Sequence, residues 1–599
     1  MPSPDEKEIK DTADKALGSG HAREALALYG TLLSRVQMFE SGIYESWLSG
    51  ALGAYRALGR RREAGYVLLG LRRFADAEAC FSADEHPLDW ALAVGQQHRH
   101  AEAARILAAS GHSALAAVDL EAAGEHAGAR AEWERVLANP RLRGLPYETA
   151  LAYFNLGETL LRLRDAGAGR VLATAQRMLE ELADDFETRG ERERAFDCYG
   201  ILLRLGKDTG SFENVAEGYL NSIRLLAPDG DHKFFVLQYY EDFLAYATER
   251  RELHAAATLA REAADYSLKA NLVYDRHYLR RAAELWRETA RHNEATSGPH
   301  DLSENALHAA IDAASSLGDL ALVGQVYASL AALPLPAKKR DRYAALARRY
   351  AHARSDDAPV TAFPPHLRRP GAYQDVWRLD LVEWELGGEP APVLARLVAH
   401  QTGHAQGVRL ALRALLLCAD PNFVPTHPSS GAELGVALGR VQMYEVLSPL
   451  ERLYEHPSPQ VRAAVMTGVG QVYCKRSFNL VRKGLGDAGP GVRDEALRVL
   501  RALRFRDGFD SLARIFRESS DGAVREVALA TIADIGSPEA GLFLIEVVRH
   551  ETGALHALAR TRLASFTGDD LAPIIRQYMD LETGSTREAL QEILEKTGG

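Results

Sequence analysis

The stretch DAGPGVRDEALRVLRAL, residues 487–503, joins a Pro/Gly turn to an apolar pattern of helical period, and it recurs. In PSPQVRAAV the same Val-Arg pair is Val461-Arg462, and in SSDGAVREVAL it is Val524-Arg525, so the copies follow at a nearly constant step. Two further steps of 31 reach Leu555-His556 and Thr586-Arg587, each behind a polar or glycine-containing turn. Upstream, Val408-Arg409 in QGVRLALRALL takes the same role, but the step from there to Val461 is much longer, and an insertion around DPNFVPTHPSSG accounts for most of the surplus. A period near 31 with helical patterning predicts helix pairs stacked into a solenoid.

One repeat can be built from its residues. Pro490 presets its own backbone angle, Gly491 relaxes the turn, and Asp487 can accept hydrogen bonds from free amides. Val492, Ala496, Val499 and Leu503 then fall on one helix face, which predicts a core stripe. Leu512, Ile515 and Phe516 do the same for the second helix, in FDSLARIFRE. The arginine stands about 100° around the helix from its valine, placed to reach a turn acid or a free carbonyl of an adjacent repeat. The alternative is a ladder of Arg409, Arg462, Arg493 and Arg525 that binds phosphate or carboxylate groups of a ligand.

The motifs Pro459-Gln460-Val461-Arg462 and Pro490-Gly491-Val492-Arg493 resemble the HEAT-repeat family, in the short variety shared with lyase-associated repeats, over roughly residues 391–599. The resemblance implies an α-solenoid and, for the lyase-associated type, a bilin-lyase-like activity, although no chromophore-handling motif can be matched residue by residue.

The first 350 residues form helix pairs of another kind. Ala77 and Phe81, Ala103 and Leu107, and Ala129, Trp133 and Val136 are sets that recur at a shorter interval of 26, so the helices must be short or the repeat divergent. In LEELADDFETRGERERAFDCYGILL, residues Leu179, Leu182, Ala183, Phe186, Ala195, Tyr199 and Leu202 resemble the apolar and small positions of tetratricopeptide repeats. The expected organisation is an all-α, extended solenoid of antiparallel helix pairs: a tetratricopeptide-like superhelix over 1–354, a Pro-rich linker or crossover over 355–371, and a HEAT-like array over 372–599 with an insertion near 420–437.

Composition agrees. Of the 599 residues 47% are hydrophobic and 26% charged, enough apolar material to fold. The net charge of −11 argues against a chain that coats nucleic acid or anionic lipid along its length. The four cysteines are scattered, the first residues are polar, and no run of about 18 apolar residues occurs, which makes a cytoplasmic protein without a membrane span the expectation. His400 and His404 in HQTGH share a helix spacing but lack the adjacent Glu of a zinc motif, and Gly468 and Gly470 in GVG lack a phosphate-loop lysine. No catalytic residue, cofactor or metal site is expected; the glycines suit close helix packing.

Two surfaces qualify as candidate sites. Phe235, Tyr239, Phe243 and Tyr246 fall on one face of KFFVLQYYEDFLAYA, where they form either a core stripe or a peptide groove. Residues 458–530 hold 13 Lys and Arg against 8 Asp and Glu. Within them Lys475, Arg476, Arg482, Lys483, Arg498, Arg501 and Arg504 make a basic strip, extending over 475–517, that could meet phosphates or an acidic protein. The function expected is a non-enzymatic scaffold or adaptor for one or more proteins, with nucleic-acid binding as the alternative.

Overall fold

In a computed structural model, the chain is described over residues 3–35, 41–228, 232–296, 299–355, 360–364, 381, 384–386, 390–400, 405–441, 444–505, 508–564 and 572–596. The architecture is an all-α solenoid of paired helices, and the described residues include no strand. Two compact units divide it. One contains residues 1–175, 187–191 and 378–599, the other residues 176–186 and 192–377. The first unit thus holds both the first helices and the carboxy-terminal array. Of the Pro-rich stretch 355–371, only 355 and 360–364 are described.

In the first unit, the expected stripe of helix Pro490–Ala502 forms. Val492, Ala496, Val499 and Leu503 are all fully buried, and Pro490 occupies the first turn, where no amide partner is needed. The equivalent Val461 and Val524 are buried in helices Pro459–Val469 and Gly522–Ile535. These helices, with Pro428–Gly439 before them and Gly553–Ala564 and Gly584–Lys596 after them, pack each on the next as one layer. Helices Leu447–Tyr454, Ser477–Leu485, Phe509–Glu518, Pro538–His550 and Ala572–Leu581 alternate with them as a second layer. Burying one large apolar side chain contributes about 1.5–3 kcal/mol, whereas an exposed ion pair contributes about 0–1 kcal/mol, so the stripe drives stacking and the charges refine it.

At the start of the first layer the helices almost touch. A Cβ on Gly468 would stand 2.2 Å from the Gly435 carbonyl oxygen, and one on Gly439 would stand 2.4 Å from that of Gly468. Only glycine permits this approach.

The amino-terminal part of this unit shows why its repeat is so short. Helices His100–Ala109 and Ser113–Ala122 have ten residues each. The evenly spaced His98, Gly111 and Gly124 are left-handed, and after each the next amide bonds back to the carbonyl five residues earlier: Arg99 to Val94, His112 to Leu107 and Glu125 to Leu120. That closure ends a helix and reverses the chain within a few residues.

Helix Ala405–Ala419 joins the two parts of the unit. Residues 410–417 are all buried, because a helix that is apolar on every side needs neighbours on every side. It packs on helix Arg61–Gly70, where a Cβ on Gly70 would meet Leu412 at 2.5 Å, and on helix Leu447–Tyr454. Within this apolar run the charged Arg413 donates to the carbonyls of Ser34 (3.3 Å) and Arg35 (2.6 Å), the open end of helix Ala22–Ser34. Burial lowers its pKa to about 10, still cationic at neutral pH and suited to a helix carboxyl end. The segment after helix Ala405–Ala419 supplies the fastening: Phe423 lies over Gly30, Thr426 bonds Thr31 at 3.2 Å, and buried Asp420 pairs with Arg60. One hydrophobic core consequently runs from Ala13 to Ile593.

The second unit stacks consecutive helices from Arg192–Thr209 to Ala337–Arg349. Leu179, Leu182, Ala183, Phe186, Ala195, Tyr199 and Leu202 are buried here, as expected of the apolar and small positions of a helix pair.

Candidate partner-binding surfaces

Three of the four recurring arginines bind the protein's own turns, and Arg409 covers a ring. Arg462 donates to both carboxylate oxygens of Asp487, at 2.8 and 2.9 Å, and to the carbonyls of His456 (3.1 Å) and Pro457 (2.8 Å). Tyr454 (2.6 Å) and the Gly489 amide (2.7 Å) complete the Asp487 carboxylate. Hydrogen bonds led by Arg462 hold that carboxyl well below the usual carboxylate range. Arg493 donates instead to carbonyls of its own turn, Asp487 (2.7 Å) and Ala488 (3.1 Å). Arg525 pairs with Glu551 and covers the Phe516 ring at 4.4 Å, and Arg409 stands 5.1 Å from the centre of the Tyr44 ring.

The basic strip is similarly engaged. Arg476 makes a fork with Glu451 (2.7 and 3.1 Å), Arg482 meets Glu518 at 2.6 Å, Lys483 meets Glu455 at 3.3 Å and Lys475 meets Asp510 at 3.7 Å. Arg498 pairs with Glu495, and Arg504 with Asp534 at 3.3 Å; Arg501 is exposed, its carbonyl accepting from Arg504. Most of these partners stand about one repeat away in sequence, so the pairs tie neighbouring copies together. The sequence excess of base is largely neutralised at the surface where it was expected to act.

The aromatic stripe lies on helix Lys233–Glu249 of the second unit. Phe235 and Phe243 are buried, while Tyr239 and Tyr246 are half-buried. Phe243 stacks on Tyr219 (5.0 Å), Tyr246 stacks on Phe212 (6.1 Å), and Phe196 meets both Phe235 and Tyr239. This is the packing of a core stripe, and the two phenylalanines present little surface to a ligand.

A groove that the sequence did not single out lies on the first layer. It measures ≈ 420 Å³ between helices Pro428–Gly439 and Pro459–Val469, and Ala432, Glu433, Val436, Arg440, Gln460 and Ala464 line it. The only hint was Gly468, whose missing side chain lets the walls approach. His100, at the start of its helix, meets Asp119 at 3.0 Å, and among the described residues no group of His, Cys, Asp or Glu is arranged to hold a metal ion. His404 and the side chain of His400 lie outside the described residues.

Residues 447–533 match the family model described as HEAT repeats. Over this segment the chain is similar to HEAT repeats. The HEAT segment contains Val461-Arg462, Val492-Arg493 and Val524-Arg525 with the whole basic strip, and the groove lies across its amino-terminal edge. Among solved structures, the chain is similar to one of Naa15/Naa10 bound to HypK-THB, with 13% identity over 98% of this chain and 99% of that one and a TM-score of 0.22. It is also similar to an engineered protein (14%, 76% and 99%, 0.18) and a circular tandem repeat protein (12%, 96% and 96%, 0.09). No curated protein sequence matches it. No helix among the described residues is long and apolar enough to cross a membrane.

Proposed function

We propose that the chain is a non-enzymatic scaffold that holds partner proteins on the helix faces of its HEAT array. The observation that carries this is the division of charge: inter-repeat pairs occupy most of the arginines and lysines of the basic strip, while an open, largely apolar groove lies on the first layer of the same array. An apolar, mixed-charge surface suits a protein, whereas phosphate backbone favours uncommitted cations. The HEAT-repeat solenoid is consistent with this role, since such stacks expose long faces without a deep pocket.

Nucleic-acid binding through residues 475–517 is the second reading, favoured by the local excess of base. One experiment addresses both. Full-length chain is immobilised and challenged with nuclease-treated cell extract, then with labelled duplex at low and at high salt. Saturable capture of a protein supports the scaffold reading, and its absence overturns it. Duplex binding that falls steeply with salt supports the second reading instead.

A further inference from the structure

The groove on the first layer has walls of known chemistry. Ala432, Val436 and Ala437 from helix Pro428–Gly439 face Ala464 from helix Pro459–Val469, and the contact of Gly435 and Gly439 with the second helix closes the floor. From Ser429 to Arg440 the wall rises about 16 Å, at about 1.5 Å per residue. Its ≈ 420 Å³ spread over that length accepts one row of small apolar side chains, not a whole helix. Glu433 and Arg440 stand on one rim, both exposed, about two helical turns apart. Among the described residues neither side chain has a salt bridge or hydrogen bond, in contrast to the paired arginines farther along the array.

These walls select the conformation of an occupant. They are helices whose own backbone groups are already bonded, so an extended peptide laid along them would leave its amides and carbonyls without partners over alanine and valine. A helix satisfies its own backbone and offers one row of side chains at i, i+3, i+4 and i+7. Gly431, Gly435 and Gly439 meet Val461, Ala464 and Gly468 in turn, so the two walls run in the same direction, and a guest running opposite to both has its dipole favourably placed.

We propose that this groove binds one amphipathic helix of a partner protein, antiparallel to its walls, with an acidic residue against Arg440, a basic residue seven positions later against Glu433, and small apolar side chains between them. The assignment rests on the scaffold reading and names the partner chemistry it would use.

The test uses the full-length chain and two stapled, fluorescein-labelled helical peptides, each about four turns long. One carries Glu and, seven positions later, Lys, bracketing Ala and Leu; the other reverses the charges. The expected result in fluorescence anisotropy at physiological salt is at least tenfold tighter binding of the first peptide. In the double variant Glu433→Lys/Arg440→Glu the preference reverses. Ala464→Trp, or Gln460→Trp on the exposed edge should the first variant not fold, abolishes binding of both. Equal affinity for the two peptides, no binding, or binding that survives both tryptophans overturns the proposal. Failure here with protein capture intact removes the groove and leaves the scaffold standing; loss of protein capture removes the scaffold reading itself.

Discussion

Arg462 grips Asp487 through two parallel hydrogen bonds that cross from one repeat to the turn of the next. The fork fixes both spacing and orientation between copies, which a single contact cannot do. It follows that Arg462→Lys, which retains charge and loses the fork, is not conservative. Asp487→Asn should destabilise the chain by about 1–3 kcal/mol, measured as a shift in the urea midpoint. The carboxyl has a lower pKa folded than unfolded, so its contribution is complete above the unfolded value near pH ~4 and fades as pH falls toward the folded one. The wild type should therefore approach Asp487→Asn in stability in strong acid.

Gly468 is the closest approach in the array, and an added methyl there must separate two backbones. Gly468→Ala should cost about 1–3 kcal/mol by overpacking. Gly491→Ala, with nothing within 4 Å of the new carbon, is the matched control and should leave the thermal midpoint nearly unchanged. Equal effects of the two in differential scanning calorimetry would refute the packing account.

Arg413 closes helix Ala22–Ser34 from a distance of 379 residues in sequence. Arg413→Ala leaves the Ser34 and Arg35 carbonyls uncapped in a buried place and should cost about 2–4 kcal/mol. Limited proteolysis should then cut first near residues 22–35, before the HEAT segment is attacked. Uniform cleavage would contradict a fastening role.

His456 is a pH-dependent part of the same junction. It is buried, its Nδ1 accepts from the Ser458 amide at 3.1 Å, and its ring bonds the backbone of Pro425, between helices Ala405–Ala419 and Pro428–Gly439. Burial lowers its pKa, and the neighbouring Arg462 charge, itself paired with Asp487, acts in the same direction against the Pro425 bond. The folded state therefore binds the proton less readily than the unfolded state. Stability is complete above about pH 6.5 and declines as pH falls through the folded value. His456→Asn retains an acceptor for Ser458 without titrating, so the stability gap between wild type and variant should narrow as pH is lowered from mildly alkaline to mildly acidic.

The repeat was legible because it is local. Val492, Pro490 and the interval to the next copy lie within one window of sequence, and backbone physics turns them into a helix pair wherever they stand. Asp487 and Arg493 also lie in one motif, so arginine contacts with turns were foreseeable, although Arg493 met its own turn and Arg462 the next. The meeting of Arg413 with Ser34 leaves no local trace. Its only signals were a helix apolar on all sides, LALRALLLCA, and a step from Val408 to Val461 well beyond one repeat. The neutralisation of Arg476 and Arg482 was hidden for the same reason, since Glu451 and Glu518 are one repeat away and counting charges does not pair them. The groove was hidden because it depends on how closely Gly435, Gly439 and Gly468 let two helices approach.

The continuous core of the first unit has a consequence during synthesis. Helix Ala22–Ser34 leaves the ribosome long before the residues that cover it, because Arg413 and Phe423 must still be translated. At about 5–20 residues per second, the 379 residues between Ser34 and Arg413 take roughly 20–75 s. Throughout that interval the faces built by Gly30, Thr31 and Gly70 remain uncovered, and the nascent chain stays vulnerable to aggregation until its distant fastener emerges.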